Sequence, residues 1–254
     1  MSFGYLLPRD QRISGSPPIY HLSKPGLNYY SSSGKIATLL ILNEKVEDIS
    51  FSREDKTLFE RMSNKSYTDT EMKIDDMKRN SSIILREQSI IAGVSNWECY
   101  FSDICEIIFN DDKFIEKLIS NDNKKDLRNI LQEFKIFRDL QEEFFLNANV
   151  INGLKFGTYI IENRKINFQD SGILNNLFKK LFDLNLAHIE GTNWTEIKQF
   201  IKDRHELIHN ANNQRIIDGY SKEKIEHIIK DMSLLISEVD KTLFTICGAL
   251  MAYR

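Results

Sequence analysis

The chain has 254 residues, with 41% hydrophobic and 28% charged side chains, enough length to bury a real core. This balance excludes a disordered tail, a fibre or a disulfide-stapled miniprotein. A formal net charge of −3 gives no bulk basic field for non-specific nucleic-acid binding, so any recognition of RNA has to be local. Cys99, Cys105 and Cys247 form no CxxC pair and read as reduced core residues. No apolar run approaches the ~20 residues of a membrane span. The first residues, MSFGYLLPRD, lack the pattern of a secretory signal, which gives a cytoplasmic, non-membrane expectation.

All four prolines, Pro8, Pro17, Pro18 and Pro25, lie near the amino end, and the stretch to Gly34 mixes Pro, Gly and Ser with scattered aromatics. Such composition reads as an irregular arm. Ile36 to Leu42 (IATLLIL) is a short apolar run that periodicity cannot assign, and it is read as a strand. A short helix from Ser52 to Met62 and a loop from Asn64 to Thr70 follow, completing an N-terminal extension over residues 1–76.

From Met77 to Phe109, Ile90, Val94, Trp97, Phe101, Ile104 and Ile108 recur at spacings of four and three, predicting one long amphipathic helix. Lys113 to Ser120 and Leu127 to Leu146 also read as helical, Gly153 to Phe168 as a small β-hairpin, and Ile173 to Leu186 as helix. These lie in a middle segment of about 111–190. A helix beginning near Thr195 ends close to His209, where Asn210-Ala211-Asn212-Asn213 are poor helix formers. A last stripe, Ile225, Ile228, Met232, Leu235, Val239, Leu243 and Ile246, predicts a final helix capped by Ser221 and packed on the first long one.

Reactive side chains concentrate in Asp203-Arg204-His205-Glu206-Leu207-Ile208-His209-Asn210. Two motifs overlap there. His205-Glu206-Leu207-Ile208-His209 is an H-E-x-x-H pattern, in which two imidazoles one turn apart bind zinc and the glutamate serves as general base of a peptidase. Against it, the helix ends just after the second histidine, and a third ligand such as Glu223 or Glu226 lies only beyond a turn. The other motif is arginine, four residues, histidine: Arg204 and His209. The bland reading makes Arg204 the partner of Glu206 or Asp203 and leaves both histidines on the surface.

Arg204 to Asn210, RHELIHN, resembles the R-x4-6-H signature of the HEPN superfamily of small helical domains. LREQSIIAGVSNWECYF, with Trp97-Glu98 followed by an aromatic residue, is similar to the long helix of its nuclease-type members, and the final helix falls where such domains place one. The resemblance covers residues 78–110 and 190–254. It departs at Ala211, which stands where the R-x4-H-x-Y form carries a modified tyrosine, so that regulation is not implied. What the resemblance implies is a mainly α, up-and-down helical bundle over residues 77–254, active as an endoribonuclease without metal or other cofactor.

The chemistry is consistent with that implication. RNA breaks when its own 2′-OH attacks the adjacent phosphate, which needs a base, an acid and positive charge. Imidazole exchanges a proton near neutral pH, and guanidinium forks onto phosphate oxygens. Arg204, His209 and His205 are therefore the candidate catalytic residues, with Asn210 and Glu98 supporting and Lys198, Lys202 and Arg215 as RNA-binding candidates. Residues five apart point about 140° away from each other on an ideal helix, so Arg204 and His209 converge only if the helix breaks between them. A twofold homodimer would pair the motifs of two chains. The expected partners are RNA, a second copy, and an inhibitory antitoxin or other defence-system component, as for toxins or anti-phage effectors. A non-catalytic module binding RNA, a nucleotide or a protein is the alternative.

Overall fold

A computed structural model of the chain describes residues 23–48, 70–111, 157–158, 161, 166–209 and 214–247. Six α-helices cover most of these, and no strand occurs among the described residues. The protein is mainly α, as its periodicity predicts.

Helix α1, Lys24–Lys45, replaces both the irregular arm expected over residues 24–34 and the strand expected at Ile36–Leu42. Ser23 caps it by accepting from the Gly26 amide at 3.0 Å, and Pro25 sits in the first turn, where a missing N–H removes no helical bond. The proline and glycine therefore begin a helix that composition alone reads as broken. Tyr29, Ile36 and Leu40 are its buried face.

Helix α2, Thr70–Phe109, is the axis of the fold, about 60 Å long at 1.5 Å per residue. Its predicted stripe, Ile90, Val94, Trp97, Phe101, Ile104 and Ile108, is buried throughout. Gly93 faces the same way: a Cβ there would come within 2.6 Å of Ile229 Cδ1 and 3.2 Å of Phe200 Cε1, so glycine is what lets two other helices approach α2 closely. Cys105 joins the core, whereas Cys99 is exposed, contrary to the core expectation.

Helix α3, Ser171–Phe182, is capped by Asp170, whose carboxylate accepts from Gly172 and Ile173. Phe178 of α3 meets Phe101 edge to face with ring centres 5.3 Å apart. A 3-10 turn, Leu186–His188, leads into helix α4, Trp194–His209. A short helix α5, Gln214–Asp218, precedes helix α6, Lys222–Cys247. Ser221 caps α6 through the Lys224 amide as expected. The predicted stripe of α6 from Ile225 to Leu243 is buried, and α6 packs on α1, α2 and α4.

Cross-contacts set the directions. Ser23 at the start of α1 meets Asp240 late in α6, and Asn43 near its end meets Ser82 early in α2. The start of α4 is tied to Asp231, and its later half to Tyr220 just before α6. α1 and α4 thus run against α2 and α6, an up-and-down arrangement.

The helices expected at Ser52–Met62, Lys113–Ser120 and Leu127–Leu146 lie outside the described residues. So does most of the hairpin expected at Gly153–Phe168, within which Gly157, Thr158 and Ile161 have helical backbone. Thr158 docks on the end of α2, donating to Glu106 Oε1 at 2.9 Å and accepting from Asn110 Nδ2 at 3.0 Å.

Candidate functional site

The reactive segment lies on α4, which is held at three places. At its start, the buried Asp231 of α6 accepts from the Asn193 amide at 2.8 Å, while Asn193 Oδ1 accepts from the Glu196 amide. In its second half, Asp203 accepts from the Tyr220 hydroxyl at 2.7 Å and from Gln199 at 2.6 Å. Arg86 of α2 donates to the carbonyls of Ile217 and Tyr220, which fixes the turn carrying that tyrosine. The third tie is the arginine of the motif: Arg204 Nη1 stands 3.3 Å from Glu98 Oε1 of α2, the two side chains only 13% and 22% exposed.

Glu98, expected only in a supporting role, meets Arg204 across two helices. The partner of Arg204 is thus neither Glu206 nor Asp203. The contact is an ion pair without an aligned hydrogen bond, since Glu98 Oε1 and Arg204 Nε are both buried with no hydrogen-bond partner among the described residues. Burial pushes the Glu98 carboxyl above its ordinary range, and the Arg204 guanidinium and the Gln169 side chain pull it back. Trp97, one residue before Glu98, packs against Phe101 and Trp194 with ring centres at 4.6 and 6.3 Å. An apolar wall therefore backs the pair.

α4 continues unbroken to His209, so the bend expected between Arg204 and His209 is absent. At about 100° per residue, Arg204 falls on the inward side with the buried Ile197, Phe200, Ile201 and Leu207, and His209 points about 140° away from it. The two residues of the arginine–histidine motif are not brought together within one chain.

What α4 does assemble is a second set. Lys198, Lys202, His205 and His209 follow each other at spacings of four, three and four, which places them within roughly 60° of arc on one side of the helix. All four are exposed. The imidazoles of His205 and His209 meet edge-on, with ring centres 4.4 Å apart and planes inclined at 62°. Neither ring has a hydrogen-bond or carboxylate partner among the described residues. Arg215 is also exposed, on α5 beyond the exit of α4, and Asn210 lies outside the described residues. The common face of the lysines and histidines is written in the spacing itself, but taking the arginine and histidine as the functional unit hides it.

No group of three or more His, Cys, Asp or Glu that could hold a metal ion occurs among the described residues, so Glu223 and Glu226 do not complete an H-E-x-x-H site there. No helix among them is long and apolar enough to cross a membrane. Comparisons with protein-family models, curated proteins and solved structures give no match to this chain.

Proposed function

We propose that the chain is a HEPN-type endoribonuclease that cuts RNA without metal, by attack of the 2′-OH on the neighbouring phosphate, and that the outward face of α4 is its reacting surface. The observation that carries this is the alignment of two lysines and two adjoining imidazoles on one exposed, firmly anchored helix face. Lys198 and Lys202 place positive charge where a phosphate backbone would lie. His209 and His205 supply two proton-transfer groups from one chain, as base for the 2′-OH and acid for the departing 5′-oxygen.

Two imidazoles side by side give a single chain both a base and an acid. A homodimer joining two such faces remains part of the proposal, with Arg215 flanking the RNA. Arg204 acts through Glu98, holding α4 against α2, and is a positioning residue on this reading. The role of a toxin or anti-phage effector held back by a partner follows from the resemblance.

A second reading is favoured by one observation: the arginine that such a nuclease would direct at phosphate is engaged with Glu98. A module that binds RNA on the same face without cutting it would need no free guanidinium. Labelled RNA incubated with the protein in EDTA separates the two. Cleavage that persists, leaves 2′,3′-cyclic phosphate ends and falls by a factor of about 100 or more in His209→Ala supports the nuclease. Binding without cleavage supports the module, and peptide hydrolysis sensitive to the chelator would restore the zinc enzyme.

A further inference from the structure

We propose that His205 and His209 form a two-imidazole chelate for a transition-metal dication such as Zn2+, one ion per chain, and that its occupancy silences proton transfer at this face. The silencing rests on the nuclease reading; the chelation does not.

Residues four apart on a helix stack one above the other, and the 4.4 Å between ring centres lets one nitrogen of each ring reach a shared ion after small side-chain rotations. Both rings are exposed and free to make them. The backbone beneath is regular helix tied to Asp231, Tyr220 and Glu98, so the spacing is set before the ion arrives. No carboxylate or hydrogen-bond partner among the described residues competes for the ring nitrogens. Imidazole selects zinc, copper or nickel; magnesium and calcium prefer several oxygen ligands, and no cluster of carboxylates gathers there among the described residues.

The same geometry sets the strength. Without a third protein ligand among the described residues, the remaining positions fall to water, and Lys198 and Lys202 on the same face oppose a dication. The ion is therefore held reversibly rather than as a structural zinc. Each bond forms by donation of a ring-nitrogen lone pair, with a proton released if that ring was protonated and no change of oxidation state. A ring whose lone pair is on the metal cannot accept the proton of a 2′-OH. Bound zinc thus blocks the reaction instead of driving it, the reverse of the H-E-x-x-H expectation.

The test titrates the whole chain with Zn2+ alone against a chromophoric chelator, without RNA. The expected result is one ion per chain, with affinity lowered about tenfold or more in His205→Ala and equally in His209→Ala, and unchanged in His227→Ala, whose imidazole lies on α6. Wild-type affinity no higher than that of the double His205→Ala/His209→Ala variant overturns the chelate. Cleavage of labelled RNA is then followed against Zn2+ and, separately, Mg2+. Loss of cleavage along the Zn2+ binding curve, with Mg2+ inert, supports the switch, and full cleavage at saturating Zn2+ overturns it. A protein that binds zinc at the two histidines but never cuts RNA upholds the chelate and refutes the nuclease, so the two failures are distinguishable.

Discussion

Asp240 shows how one side chain can set a chain entry. It is fully buried on α6 and accepts from the Ser23 amide at 2.9 Å, the Ser23 hydroxyl at 2.7 Å and the Tyr100 hydroxyl at 2.7 Å, joining the beginning of α1 to α2 and α6. Its carboxyl group lies at the start of α1. A Cβ at Gly26 would collide with its carboxylate, so that glycine is required by approach. Asp240→Ala leaves both Ser23 donors unpaired and the Tyr100 hydroxyl with only a 3.5 Å contact to the Ile236 carbonyl, and is expected to destabilise the fold by about 3 kcal/mol in denaturant unfolding. Burial raises the Asp240 carboxyl above its ordinary range, with its hydrogen bonds opposing. A raised folded-state value means that its contribution is full below the unfolded carboxyl range and is lost as pH rises through the folded value. The stability advantage of wild type over Asp240→Asn is therefore expected to shrink as pH is raised from about 4 toward 7, read as the difference between their urea midpoints. None of this was legible beforehand, because an aspartate late in one helix gives no sign in sequence of a serine 217 positions away.

At the scale of elements, α2, α4 and α6 could be read from sequence because each alternates apolar residues at three and four, and the rows that periodicity marks are the rows that pack. α1 could not. Its Pro25, Gly26 and three successive serines carry no helical preference, and IATLLIL is equally apolar in either geometry; tertiary packing against α2 and α6 decides the outcome. The site divides likewise. The four-residue interval of His205 and His209 already implied adjacency, and the five-residue interval of Arg204 and His209 already implied divergence; only the expected bend failed. Glu98→Ala is expected to destabilise by about 2 kcal/mol, because it strands a mostly buried guanidinium, and Arg204→Ala by a similar amount. The double variant should lose less than the sum of the two, a coupling measurable by a double-mutant cycle in urea. By contrast, Lys198→Glu with Lys202→Glu changes only exposed positions: RNA affinity is expected to fall and its salt dependence to flatten, with the unfolding temperature held.

Across the whole molecule, the up-and-down bundle assigns the two halves of the arginine–histidine motif to different tasks. The inward half secures α4 to the long central helix, and the outward half, with two lysines, is left to solvent. This division also makes a net charge of −3 compatible with the proposed RNA substrate, since positive charge is needed only along ~16 Å of one helix. The measurement that addresses the central claim most directly is a titration of the histidine ring protons by NMR with an RNA carrying a 2′-deoxy block at the scissile nucleotide. The expected result is that the His205 and His209 resonances move together and saturate, while those of His188 and His227 stay in place. Unchanged His205 and His209 rings in the presence of bound RNA would contradict the assignment of the α4 face as the reacting surface.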